Sequence, residues 1–272
     1  MNVEEFFKLF MDELKQNENL HPYYKFLSKT SDFEFRKAYF CQRLQYIYDH
    51  IDDKKAKIWD CGCGYGTTAI FLSLNGISTY GSTLEFYYKE IPQRLEYWKQ
   101  FGDVSLFSYS YEDVFDTEQS TASIYDIIIL QDTLHHIEPL NKALKIFNNV
   151  LKPSGKIILI EENGSNIIQN AKLFLRRGCK KVITLHDEKL KKDILIGNEN
   201  IRSLKQWKKY LEEETFKVID DQTQYIRFFP PFSLNTTNFE EQINKEQILW
   251  KKYPLLRDYF FFGLNFIVKK QN

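Results

Sequence analysis

A chain of 272 residues with 43% hydrophobic content can bury a substantial core as one large α/β domain with additions. Its 37 basic residues balance 37 acidic ones, so no overall field favours nucleic acid, and no apolar run approaches the length of a membrane span. The N-terminus, Met1-Asn-Val-Glu-Glu-Phe-Phe7, is acidic and amphipathic, unlike a secretory signal, so a cytoplasmic protein without stable membrane insertion is expected.

The predicted elements run as follows. Val3 to Gln16 reads as a helix. A second starts at a capping box, Ser31 with Glu34, and its Phe40, Leu44, Ile47 and Ile51 recur at helical spacing as one apolar stripe that must be covered. Lys57-Ile-Trp-Asp-Cys-Gly-Cys-Gly-Tyr-Gly66 is a strand that ends in an acid and breaks into a loop with glycine at every second position, before a helix from Thr67 to Asn75. A dinucleotide fingerprint would place its third glycine at position 67, where this chain has Thr67. Glycines at these positions let a ligand lie against bare backbone. Cys61 and Cys63 form C-x-C rather than the C-x₂-C pairs of a zinc site; with Cys41 and Cys179 they read as small thiols, and no metal is expected. Tyr125 to Gln131 is a β-branched run. Pro139 opens an amphipathic helix through Leu140, Ala143, Leu144, Phe147, Val150 and Leu151. Glu161 to Ser203 holds a helix from Asn166 to Leu175, a basic patch at Arg176, Arg177, Lys180 and Lys181, and a hairpin through Val182–His186 and Ile194–Ile196. The patch could hold a phosphate or carboxylate, but Asp187, Glu188 and Asp193 follow it and favour a solvated surface. A helix and strand over Ser203 to Val218, the segment Pro230 to Tyr259, and a last strand, Phe260 to Val268, complete the chain. Strands alternating with helices of this length indicate a mainly parallel sheet.

The order Asp60-x-Gly62-x-Gly64-x-Gly66 resembles the first motif of class I methyltransferases that use S-adenosylmethionine (SAM). Tyr125-Asp-Ile-Ile-Ile-Leu-Gln-Asp-Thr-Leu-His-His-Ile-Glu-Pro139 looks like the family's fourth strand and following turn, and Leu151-Lys-Pro-Ser-Gly155 like its L-K-P-G-G turn into strand five, with Ser154 for the first glycine. The match is near continuous from Lys57 to Glu161. It implies a doubly wound, mainly parallel seven-stranded sheet with a C-terminal antiparallel strand and helical additions: residues 1–52 as an N-terminal helical extension or lid, and 53–272 as a SAM-binding domain with insertions at about 161–203 and 230–259.

The resemblance also implies site residues. Gly62 and Gly64, with Cys61 and Cys63 beside them, would hold the methionine part; Asp60 would orient that loop and the amino group; Gln131 would lie beneath the donor methyl. Two acids common in the family are replaced. Thr83, followed by Leu84, stands at the ribose place with Glu85 as the alternative contact, and Ser110 stands at the adenine place with Tyr111, Glu112 and Asp113 following. Neutral groups still hydrogen-bond, each worth about 0.5–1.5 kcal/mol net. The Gly81-x-Thr83-Leu84 pattern is similar to the cyclopropane-fatty-acid synthase branch, a pointer to lipid acceptors. His135 and His136 are the candidates for a general base, since an imidazole accepts a proton at neutral pH. No Asn-Pro-Pro-Tyr type motif follows strand four.

Three functions compete: a methyltransferase of a small, apolar or lipid-like metabolite; one acting on a macromolecule, disfavoured by the neutral charge; and a non-catalytic SAM-fold module. The first leads. Insertions after strands five and six fall at the carboxyl edge of the sheet, where open α/β folds bind ligands. Tyr23, Tyr24, Phe40, Tyr225, Phe229 and Phe232 are expected to enclose the acceptor there. The 16% aromatic content fits such a pocket and also an AT-rich genome.

Overall fold

The computed structural model describes residues 1–28, 33–84, 86–117, 122–228 and 239–271, so Ser31, Glu85, Phe229 and Phe232 lie outside the described residues. Helix α1 (Val3–Gln16) is opened by an Asn2–Glu5 capping box and turns Val3, Phe6, Phe7, Phe10 and Leu14 inward at helical spacing. Helix α2 (Phe33–Asp49) buries Leu44 and Ile47 of the expected stripe, with Phe40 and Ile51 at its margin. Strand β1 (Ile58–Cys61) follows, then α3 (Thr67–Leu74), β2 (Thr79–Thr83), α4 (Ile91–Trp98), β3 (Phe107–Tyr111), β4 (Tyr125–Gln131), α5 (Leu140–Val150) and β5 (Leu151–Glu162). The first insertion supplies α6 (Ile167–Arg177) and the strands β6 (Val182–Asp187) and β7 (Lys192–Gly197), which pair as a hairpin outside the main sheet. Helix α7 (Leu204–Glu213), β8 (Phe216–Phe228), α8 (Phe239–Lys252), α9 (Pro254–Phe260) and β9 (Phe261–Lys270) end the chain.

The sheet runs β3-β2-β1-β4-β5-β9-β8, and β9 is antiparallel to both its neighbours. Alternation along the strands explains why both faces are covered. Ile127, Ile129, Ile158 and Ile160 point into a core shared with α1 to α4, while Ile128, Leu130, Ile157 and Leu159 point into a second core with α5 and α7. The Leu151-Lys-Pro-Ser-Gly segment is drawn into β5 as an irregularity. Leu151 pairs with Tyr125 and the register resumes with Lys156 opposite Ile127.

The winding reverses between β1 and β4, so the loops leaving their carboxyl ends diverge and open a crevice. One buried polar network ties the N-terminal helices to that crevice. Arg94 of α4 donates to both carboxylate oxygens of Glu13 at 2.8 and 2.7 Å, and Trp98 Nε1 donates to the same carboxylate at 2.9 Å. The remaining Arg94 donor reaches the Tyr65 carbonyl at 2.8 Å and Thr67 Oγ1 at 2.6 Å. A guanidinium fully removed from water is tolerable because each contact is charge-assisted.

Candidate active site

The glycine loop is a backbone device. Gly62, Gly64 and Gly66 all have left-handed φ, at 82°, 52° and 72°. The N–H groups of Gly62 and Cys63 both donate to the Ser82 carbonyl, at 2.8 and 3.0 Å, which folds the loop back over the end of β2. A Cβ on Gly64 would meet no protein atom within 4 Å, and Gly64 lines the cavity of about 630 Å³ that fills the crevice. The space beside it is shaped for a ligand. Asp60, next to last in β1, is buried with its Oδ2 unpartnered, and burial pushes its carboxyl up to about 7. A buried acid with an open lone pair at the rim of a cavity is arranged to receive a cationic donor group.

Of the expected cofactor contacts, Asp60, Cys61, Gly62, Cys63, Gly64, Thr83, Leu84, Glu112 and Gln131 line the cavity. Gln131 is held by Thr68, whose hydroxyl donates to its Oε1 at 2.7 Å. Tyr111, the remaining expected contact, does not line the cavity. Its side chain leaves the cavity, donating to Asp187 at 2.7 Å and packing its ring beside Tyr88 and under Lys189. Ser110 likewise turns away, to the Tyr80 hydroxyl, while Tyr80 donates to Glu112. Cys63 packs against the face of Gly81, and burial raises both loop thiols far above their ordinary range, so these are packing groups rather than nucleophiles.

The two histidines face the same end of the cavity with different electrostatics. His135 is buried, and its Nδ1 donates to Glu161 at 2.6 Å; the second oxygen of that carboxylate accepts the Leu134 N–H at 2.7 Å. Burial alone would discharge His135, but the Glu161 carboxylate overrides it and carries the ring up to about 9. His136 goes the other way. Burial and the neighbouring His135 charge hold it below its ordinary value, and its Nδ1 donates to the Gly197 carbonyl at 2.7 Å, which leaves Nε2 with the lone pair. His135, His136 and Glu199 each bring one ligand atom within 4.8 Å of the others, the one group of metal-binding spacing among the described residues.

The hairpin β6–β7 closes this end. Ile196 bridges Ile137, and a Cβ on Gly197 would fall 2.0 Å from the His135 carbonyl oxygen, so only glycine permits that approach. At its other end Lys192 pairs with Asp113 at 2.9 Å and Asp116 at 2.7 Å. Ile183, Ile194, Leu195 and Ile196 thus wall the cavity, and Tyr23 and Tyr24 reach it from the N-terminal side. Phe40 and Tyr225, also expected there, stack within the cores instead, against Phe10 and Phe7 and against Trp250 and Phe261. Arg176, Arg177, Lys180 and Lys181 stand outside the cavity; Arg177 donates to the Glu199 carbonyl at 3.1 Å.

Sequence reasoning missed Asp132, Thr133, Glu162 and Glu199, which line the cavity. Asp132 and Glu199 have left-handed φ of 50° and 54°, and Asp132 pairs with Arg43 of α2. A Gln-Asp-Thr break at the end of a β-branched run was a signal for Asp132. None marked Glu199, which depends on where the hairpin folds.

Sheet order, switch-point cavity and glycine loop together define a class I methyltransferase architecture. The chain belongs to the methyltransferase domain family, whose model matches residues 33–237. Its fold is the one that solved SAM-dependent methyltransferases share. Among solved structures, a SAM-dependent methyltransferase from Archaeoglobus fulgidus superposes with a TM-score of 0.56 at 15% identity, covering 85% of this chain and 92% of that one. One from Methanosarcina mazei gives 0.55 at 16% identity over 83% and 97%. These likenesses carry the fold. A hybrid PKS-NRPS synthetase of Trichoderma harzianum is 26% identical over 171 residues, 58% of this chain, and the chain spans about 4% of the length of the curated relatives it matches. Among the described residues no helix is long and apolar enough to cross a membrane.

Proposed function

We propose that the chain transfers a methyl group from SAM to a small, largely apolar or lipid-like metabolite held between the glycine loop and the histidines. The observation that carries the reading is one cavity of about 630 Å³ that is polar at Asp60 and at His136 and walled between by the hairpin isoleucines and two tyrosines. The similarity to a polyketide-making synthetase points the same way.

The residues present fit the cofactor. Asp60 would take its ammonium, the backbone at Gly62 and Gly64 its methionine part, Thr83, Leu84 and Glu112 its ribose and adenine, and Gln131 would lie under the reacting end. When bound, SAM supplies a methyl group already activated on a sulfonium, so the protein's work is positioning and proton removal. His136 is the group suited to take a proton from the acceptor, because its Nδ1 bond to Gly197 fixes the tautomer with Nε2 as acceptor. His135, charged and tethered to Glu161, orients the turn. The apolar hairpin excludes water from the reacting atoms.

The test is incubation of the protein with methyl-labelled SAM and a host extract, followed by partition. Label in a small, organic-soluble product is expected. Label confined to protein or nucleic acid would overturn the reading.

A further inference from the structure

We propose that His135, His136 and Glu199 form a site for a divalent transition-metal ion at the polar end of the cavity. The inference rests on the reading above that the acceptor's polar group is received there.

Four observations carry it. The ligand atoms converge: one from each residue lies within 4.8 Å of the others, with His135 Nε2 at 3.6 Å from Glu199 Oε2. Nitrogen and oxygen donors at roughly 2.1 Å from an ion stand about 3.0–3.4 Å apart, so a small contraction completes the set. Second, both imidazoles already have the outer partner that a metal-bound histidine uses, a carboxylate from Glu161 at 2.6 Å and a backbone carbonyl from Gly197 at 2.7 Å on their Nδ1 atoms. Third, Glu199 is held rigidly in a conformation that side chains avoid. Its φ is 54°, its N–H donates to Gly197, and its carbonyl accepts from Ile201 and Arg177. Fourth, the carboxylates of Glu161, Glu162, Glu199 and Asp132 gather here, with Arg43 paired to Asp132 and the His135 ring to Glu161, so acidic groups outnumber these two cations at the pole.

Two imidazoles and one carboxylate on one side, with the cavity on the other, is a donor set for zinc, iron, cobalt or manganese with positions left open for substrate. The ligand class is therefore an acceptor bearing a hydroxyl or carboxylate oxygen. An oxygen bound to the ion loses its proton to water at the cavity mouth more readily; its lone pair then forms the O–C bond as the S–C bond breaks, leaving a neutral thioether. On taking up the ion His135 releases its Nε2 proton to solvent and both histidines become neutral ligands, so proton acceptance by His136 belongs to the ion-free protein.

The experiment uses the whole chain, stripped with chelator and free of SAM and acceptor. Cobalt(II) is titrated while visible absorption is recorded, and zinc(II) binding is measured by calorimetry. We expect one ion per chain at micromolar affinity or tighter, with cobalt bands typical of mixed nitrogen and oxygen ligation. Glu199→Gln and His136→Gln should each weaken zinc by about tenfold or more. His186→Gln should not, although His186 is exposed and bonded to Asp193 at 2.8 Å. SAM affinity, measured in parallel, should be unchanged in Glu199→Gln. No binding below millimolar, or equal affinity in wild type and both cavity variants, overturns the site. Failure of the wild type to bind SAM would instead sink the cofactor assignment, so the two failures are separable.

Discussion

Asp60 should trade stability against cofactor binding, and Asp60→Asn separates the two. Burial raises the Asp60 carboxyl from 3.8 to about 7. Since three pKa units correspond to roughly 4 kcal/mol, the ionised form carries a penalty of that order in the folded, ligand-free protein. The sign follows from proton counting. Between pH 4 and 7 the folded state holds a proton that the unfolded state has released, so stability falls as pH rises through that window. An amide has no such penalty. Asp60→Asn should therefore unfold higher than wild type, by about 5–10 °C at pH 8, with the difference fading at pH 4. SAM binding should move oppositely, because a charge-assisted bond worth about 1.5–3 kcal/mol is lost, giving roughly 10-fold to 100-fold weaker binding. Thermal melts at both pH values and calorimetry with SAM measure the two effects. A variant that is no more stable at pH 8 and binds SAM as well as wild type would show that the carboxyl is neither strained by burial nor aimed at the ligand.

Three further outcomes are expected. Gly64→Val should remain folded and lose at least about tenfold in SAM affinity by calorimetry, since its side chain would fill ligand space at φ 52°. Arg94→Met should lower the melting temperature by about 10 °C, because breaking a buried pair costs about 3–5 kcal/mol, and should weaken SAM binding as Tyr65 and Thr67 lose their anchor. Lys192→Ala should release one end of the hairpin, raising KM for the acceptor recovered from extract several-fold while the SAM Kd stays unchanged; equal shifts in both constants would mean the hairpin also serves the cofactor.

What could be read in advance was whatever short spacing encodes. The alternating glycines, the β-branched run to Gln131 and the helical stripe of α1 each act within about 15 residues, and each appears in the structure where periodicity placed it. Even the hairpin was visible as two apolar runs around a polar turn. Its docking was not, since Gly197 meets His135 and Lys192 meets Asp113 across long stretches of chain. The same limit hid the partner of Tyr111. Counting from the strand end places it after Ser110, and only the folded insertion brings up Asp187, to which its hydroxyl donates. Alternation along a strand fixes the face a residue occupies, but the path of distant segments decides which neighbour waits there.

The Glu13–Arg94 pair sets where this protein can be cut. The family match starts at residue 33, beyond α1. Trimming to that boundary would strip a guanidinium with no exposed surface of its carboxylate, and would uncover Trp98, on which Phe6 stacks, and Phe71, against which it packs at a tilt. The recognisable segment is therefore shorter than the packed unit it belongs to. Any effort to graft this module elsewhere, or to express it alone, should begin its sequence ahead of Asn2.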